Sequence, residues 1–178
     1  MKLNKILFAF VIAIISISCK NDEKKEDEKK IYDQYKITLN AIVKKDDTFQ
    51  VYYKESSDDK EPFVEESSVR VDLKGSEKAQ DIIFALPENA YPTYLRLDFG
   101  SNKVQPEISV NNFKVSYRDK LFTINGNQFF DYFIAEKAFV KFDKATAKAI
   151  PFVTEDGNYD PMFFSEATLN AEMVKLSK

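Results

Sequence analysis

Two hydrophobic patterns divide the chain. Near its start, residues 6–15 form an unbroken apolar run (ILFAFVIAII), with Lys2 and Lys5 before it and Ser16-Ile-Ser-Cys19 after it. From residue 32 alternation takes over. Tyr35, Ile37, Leu39, Ala41 and Val43 alternate with mostly polar neighbours, Lys44–Thr48 breaks the pattern, and Phe49, Val51 and Tyr53 resume it. Successive strand side chains point to opposite faces, so this segment predicts a half-buried hairpin. After a polar loop at residues 55–61, Val69, Val71 and Leu73 alternate up to Gly75. Ile82-Ile-Phe-Ala-Leu86 is apolar on both faces, which predicts a central strand stopped by Pro87.

Leu95, Leu97 and Phe99 share one face of the next segment, and Tyr94, Arg96 and Asp98 share the other, before a turn at Gly100-Ser-Asn102. Ile108 and Val110 open a strand that Phe113, Val115 and Tyr117 continue on shifted parity. One extra residue at Asn111-Asn112 would produce that shift, so a β-bulge is predicted there. Phe122 and Ile124 precede a predicted turn at Asn125-Gly126. Residues 129–142 read as a short helix or turn and then a strand, residues 145–149 as a helix start or a strand, and Asp156-Gly-Asn158 as a turn. Leu169, Met173 and Leu176 at helical spacing behind a cap-like Ser165 predict a short C-terminal helix. Seven to nine short strands with few helices predict a mainly β chain: one antiparallel β-sandwich domain over residues 31–178.

The early apolar run is too short for a permanent membrane span and fits the core of a secretory leader. Ser18-Cys19 at its end resembles the lipobox cut by lipoprotein signal peptidase, although Ser16 stands where Leu, Val or Ile is usual. The expectation is a signal peptide over residues 1–18, a lipidated Cys19 and attachment to a membrane, at about 0.8 kcal/mol per buried CH₂. Residues 20–30 (KNDEKKEDEKK) contain nothing to bury and predict a solvated tether. An acidic stretch directly after the cysteine resembles the surface-export signal of Bacteroidetes lipoproteins. That resemblance implies an outer-membrane anchor with the domain outside the cell; the alternative is a linker facing the periplasm.

Composition narrows the chemistry. The net charge is −3, and loss of Lys2 and Lys5 with the leader takes it to −5. A mildly acidic chain lacks the basic footprint that nucleic acid requires. There is no His, and Cys19 is the only Cys, so the commonest general base and a thiolate zinc cluster are both excluded. No Gly-rich phosphate loop or G-x-S-x-G elbow occurs, and nothing singles out one carboxylate pair for glycoside hydrolysis. No catalytic residue is assigned.

The order of segments from Val69 to Ile124, about a third of the chain, resembles galactose-binding-like jelly-roll domains. It is carried by Lys74-Gly75-Ser76, Ile82–Pro87, Leu95-Arg-Leu-Asp-Phe-Gly100, a loop, and Ile108–Tyr117. The resemblance implies an eight-stranded sandwich, carbohydrate binding without catalysis and, in some members, a structural calcium. The absence of Trp departs from the ring such modules often stack on sugars.

Ligand-binding candidates are Tyr94, Arg96 and Asp98 on one strand face, with Tyr91 and Tyr159 in turns. Arg and Asp would hydrogen-bond sugar hydroxyls and Tyr would stack on a ring. The competing reading of Arg96 and Asp98 is an ion pair on a solvated sheet, worth about 0–1 kcal/mol. Among the loop aromatics, Phe129, Phe130, Tyr132 and Phe163 read mainly as core lids, and Tyr91 and Tyr159 as the most exposed. Asp156-Gly-Asn-Tyr-Asp160 offers oxygens at alternate positions but lacks the distal Glu of an EF-hand loop, so an Asx turn outweighs calcium. The expected function is a non-catalytic glycan-binding lipoprotein module without cofactor or metal. The alternatives are a lipoprotein that docks on another envelope protein and, behind it, a glycan hydrolase.

Overall fold

Alternating burial holds along the strands, and it organises two antiparallel sheets. A computed structural model describes residues 33–56, 58 and 60–178. The chain divides after Lys30, and Ile31–Lys178 forms one compact unit. The expected leader, the expected lipidation site Cys19 and the expected tether lie outside the described residues.

The strands are β1 (Tyr35–Ile42), β2 (Asp47–Lys54), β3 (Ser68–Leu73), β4 (Gln80–Ala85), β5 (Tyr94–Asp98), β6 (Ile108–Tyr117), β7 (Lys120–Asn125), β8 (Phe133–Ala135), β9 (Val140–Asp143), β10 (Lys148–Pro151) and β11 (Met162–Ser165). Two helices, α1 (Gly126–Tyr132) and α2 (Ala167–Leu176), complete the elements with a 3₁₀ turn at Glu65–Ser67. One sheet has the order β4-β1-β6-β10-β9, with β7 also on β6; the other has the order β3-β2-β5-β11-β8. The domain is therefore a β-sandwich with a short C-terminal helix, built from eleven strands among the described residues.

The inward rows are those the alternation picks out. Ile37, Leu39, Phe49, Val51, Leu95, Leu97, Phe99, Phe113 and Val115 are all buried. Aromatic rings fill the core: Phe99, just after β5, lies 4.6 Å from Phe163 on the neighbouring β11 and 5.9 Å from Phe129 of α1, and Phe113 of one sheet lies 5.0 Å from Phe133 of the other. Tilted and edge-on pairs of this kind each add about 0.5–1.5 kcal/mol beyond area burial. Phe129, Phe130 and Phe163 are core residues, and Tyr132 is half-buried against the core. Leu169, Met173 and Leu176 of α2 close one part of the core, where the Tyr35 hydroxyl donates to the Met173 carbonyl at 2.7 Å.

The bulge stands where the parity shift placed it. Asn40 pairs with Asn112 and Ala41 with Val110, leaving Asn111 as the extra residue.

Four expectations are corrected. β1 and β2 are not a hairpin; they lie in different sheets, and the chain crosses between layers at Lys44–Asp46. Alternation fixes a strand's faces but not its partner. β4 is an edge strand rather than a central one, with Ile83 and Ala85 exposed. Asn125-Gly126 starts α1 instead of a hairpin turn: the Asn125 N–H donates to Gln128 Oε1 at 3.1 Å, as in a capping box. Ser165 belongs to β11, and Glu166 is the N-cap of α2. The Ser165 hydroxyl instead accepts from the Leu95 N–H and donates to Asn170 Oδ1.

Candidate functional site

Strand register turns scattered polar positions into rows on the outer face of the β3-β2-β5-β11-β8 sheet. Gln50 stands opposite Arg70 on β3 and Asp98 on β5. Tyr52 stands opposite Ser68 and Arg96, and Arg96 opposite Phe164, which faces Ile134. Thr48 pairs with Asp72, and Lys54 with Tyr94. One end of this face is polar. The other carries aromatic and aliphatic side chains.

At the polar end a hollow of about 360 Å³ is walled by Thr48, Gln50, Arg70, Asp98, Gly100, Ser101, Tyr159 and Asp160. A neighbouring hollow of about 470 Å³ shares Thr48 and Ser101 and extends to Asp46, Asp72, Lys74 and Asn102. Together they form a polar cleft across the ends of β2, β3 and β5.

Asp47 builds the floor between them. It is buried, and its Oδ1 accepts from the N–H groups of Thr48, Ser101 and Asn102 at 2.9, 2.8 and 3.1 Å. Its Oδ2 accepts from Gln105 Nε2 at 3.0 Å. This close approach requires Gly100, which has φ +90; a Cβ there would stand 2.3 Å from the Asp47 carboxylate.

Arg96 and Asp98 form a two-pronged ion pair, with Nε and Nη2 donating at 2.8 and 2.7 Å. The pair is not on a solvated surface, since the side chains are only 21% and 16% exposed. The Arg96 guanidinium also lies 4.0 Å above the Tyr52 ring. Burial pushes the Asp98 carboxyl above its usual range, against the opposing pull of Arg96.

A strap at residues 60–67 runs beside the guanidinium, with the Phe63 ring centre 6.0 Å from Arg96. Phe63 lies 6.1 Å from Phe164, and the Lys54 ammonium sits over the Phe63 and Tyr94 rings. The same ammonium donates to the carbonyls of Asp58 and Glu61. Glu65, at the end of the strap, accepts from the Tyr52 hydroxyl and from Gln50 Nε2.

The sequence candidates are thus only partly gathered. Asp98 and Tyr159 share the hollow, and Arg96 backs it through Asp98. Tyr94 points to a different, apolar groove of about 400 Å³ against α2, with Ala171 and Val174. Tyr91 is 41% exposed but stands apart from the hollow, edge-on to Tyr117 at 5.9 Å. Tyr159 is half-buried, contrary to expectation. Its hydroxyl is enclosed without a hydrogen-bond partner among the described residues, and burial raises its pKa, with the Asp47 charge adding to the rise. The turn that holds it uses its own oxygens: Asp156 accepts from the Thr154 hydroxyl and from Asn158 Nδ2, and Gly157 takes φ +82. Among the described residues no group of three or more Asp, Glu, His or Cys side chains is placed to hold a metal ion.

Thr48, Gln50, Arg70 and Glu65 are not candidates on sequence alone, and Asp160 enters there only as an oxygen of the Asp156–Asp160 turn. The signal for Gln50 and Arg70 was present: each lies between two inward apolar residues, so each faces outward. That β2 and β3 flank each other beside β5 was the missing step.

No helix among the described residues is long and apolar enough to cross a membrane. Comparison with protein-family models, curated proteins and solved structures finds no match.

Proposed function

We propose that the domain is a non-catalytic carbohydrate-binding module of a lipid-anchored envelope protein, tethered through Cys19 and displayed from the outer membrane. One observation carries the carbohydrate part. The hollow interleaves donors (Arg70, Gln50), hydroxyls (Thr48, Ser101) and carboxylates (Asp98, Asp160) beside the Tyr159 ring. Sugar hydroxyls donate and accept at once, so they need both kinds of partner within a few ångströms. The hollow's size lies at the lower end of the roughly 300–1,000 Å³ of ligand pockets, but its wall is polar where most are apolar. That difference favours a polyhydroxylated ligand.

The test is a glycan array followed by calorimetric titration of residues 31–178. Binding of at least one glycan class, lost in Asp160→Ala at unchanged melting temperature, supports the reading. An array with no signal at millimolar sugar would sink it.

A second reading, docking on another envelope protein, is favoured by the apolar end of the same face. There Val64 follows Phe63, Ile134 lies beside Phe164, and Val64 and Ile134 are both exposed. A single stoichiometric envelope protein captured by the wild-type domain and lost in Ile134→Asp would favour it.

A further inference from the structure

Three side-chain donors converge on the carboxylate of Glu65: the Tyr52 hydroxyl at 2.7 Å, Gln50 Nε2 at 3.0 Å and Arg70 Nη2 at 3.0 Å. The Ser68 hydroxyl donates to the Glu65 backbone carbonyl at 2.7 Å and accepts from Gln50 Nε2 at 2.8 Å. These side chains are neighbours on the sheet, in a two-by-two block with Gln50 and Tyr52 on β2 facing Arg70 and Ser68 on β3. The donors are therefore fixed by strand register, whereas the acceptor arrives on the strap.

The block has the make-up of an oxyanion receptor: one guanidinium with neutral donors around it. Gln50 and Tyr52 are 8% and 9% exposed, so the block is preorganised. Glu65 and Arg70 are 55% and 60% exposed, so the occupied spot is reachable from solvent. Gln50 and Arg70 also wall the polar hollow. A ligand seated there would touch two of the three donors before Glu65 moved.

We propose that this block is an oxyanion subsite of the glycan cleft, filled in the free protein by Glu65, and that the ligand is an acidic sugar whose carboxylate or sulfate displaces Glu65. The inference rests on the carbohydrate reading and narrows it to a ligand class. Glu65 is an internal competitor: it lowers apparent affinity by the fraction of time it holds the block. The Tyr52 hydrogen bond, chiefly, keeps the Glu65 carboxyl below its usual range, so the competitor is charged at neutral pH. An uncharged sugar in the hollow carries no anion to take the place of Glu65 in the block.

The experiment titrates the full chain with a galacturonate trisaccharide and its uncharged galactose counterpart. Glu65→Ala is expected to bind the galacturonate at least about tenfold tighter than the wild type, with the uncharged sugar unchanged. Adding Arg70→Gln should cancel the gain. Glu65→Gln, which keeps the strap's shape, should show a smaller gain and serves if the alanine variant misfolds.

Equal gains for both sugars, or none for the galacturonate, overturn the inference while binding of the uncharged sugar keeps the carbohydrate reading. If no sugar binds any variant, but sulfate raises the melting temperature of Glu65→Ala and not of the wild type, the carbohydrate reading falls and takes the acidic-sugar assignment with it. The oxyanion block itself then stands.

Discussion

Arg96→Met isolates what the buried ion pair does. Methionine keeps the stem over Tyr52 and removes both hydrogen bonds to Asp98. The orphaned carboxylate stays buried and still feels the negative charges of Asp160 and Glu65. Deleting one partner of a buried pair costs about 3–5 kcal/mol. This pair keeps a little solvent contact, which lowers the expected loss to about 2–3 kcal/mol, part of it from the lost cation–π contact. For a domain of this size that is a fall of roughly 4–12 °C in Tm. The sign of the pH dependence follows from the direction of the shift. Burial already holds the folded Asp98 pKa above its unfolded value, and losing Arg96 raises it further. A carboxyl with a raised folded pKa destabilises the fold where it is ionised, and the penalty is relieved as pH falls through that pKa. Urea denaturation against wild type at pH 7 and pH 5 should show the larger deficit at pH 7. Arg96→Met with Asp98→Leu should recover most of it, since an apolar pair of similar bulk leaves no buried charge. A deficit below about 1 kcal/mol at pH 7 would mark an ordinary surface pair. Equal deficits at both pH values, or a double variant no better than the single one, would refute the burial argument.

Gly126→Ala should destabilise although alanine is the better helix former by about 1 kcal/mol, because its Cβ would stand 1.8 Å from the Val110 carbonyl oxygen. Overpacking against backbone costs about 1–3 kcal/mol or more, so thermal melts should show a lower Tm, and a raised Tm would contradict the packing. Asp47→Ala should cost about 3 kcal/mol and strip hydrogen-exchange protection from Ser101 and Asn102, whose N–H groups it receives. Unchanged protection at those two amides would show that the loop holds itself. Tyr159→Phe removes an enclosed hydroxyl that has no partner, so the variant should be neutral or more stable by up to about 1 kcal/mol in urea. A clear loss would mean that the hydroxyl is satisfied in solution.

Period-two burial was legible wherever one face of a strand meets the core. Leu95, Leu97 and Phe99 against Tyr94, Arg96 and Asp98 is the clearest case, and the parity break at Asn111 marked the bulge from sequence alone. Partners were not legible. The turn at Lys44–Asp46 looks like a hairpin because turn chemistry is local, while the choice between pairing with β1 and crossing to the other layer depends on β4, β5 and β6. Ile82–Leu86 misled for a related reason. Ile83 and Ala85 are apolar, yet they lie outward on an edge strand. The site was least legible of all. Gln50, Arg70 and Asp98 lie far apart in sequence and meet only through register, and Glu65 reaches them from a loop with no pattern of its own.

A sandwich needs two layers, and its outer faces are normally left to water. Here a strap lies against Lys54, Arg96, Tyr52 and Gln50 on one outer face, and these side chains and Asp98 keep little contact with solvent. Withdrawing charges in this way is costly, and replacing such groups by apolar ones is often neutral or stabilising. Stability alone therefore gives no reason for this face to be polar. Preorganisation does. A guanidinium stacked on Tyr52, a carboxylate held by that guanidinium and an amide bonded to the Ser68 hydroxyl are fixed donors and acceptors, with little rotamer freedom left to lose when a ligand arrives. The strap stands to the face as a ligand would, with an anion in the donor block and a ring over Phe164. A face that already holds a carboxylate and a ring from its own chain has the chemistry to hold them from another molecule, at the cost of letting go of Glu65.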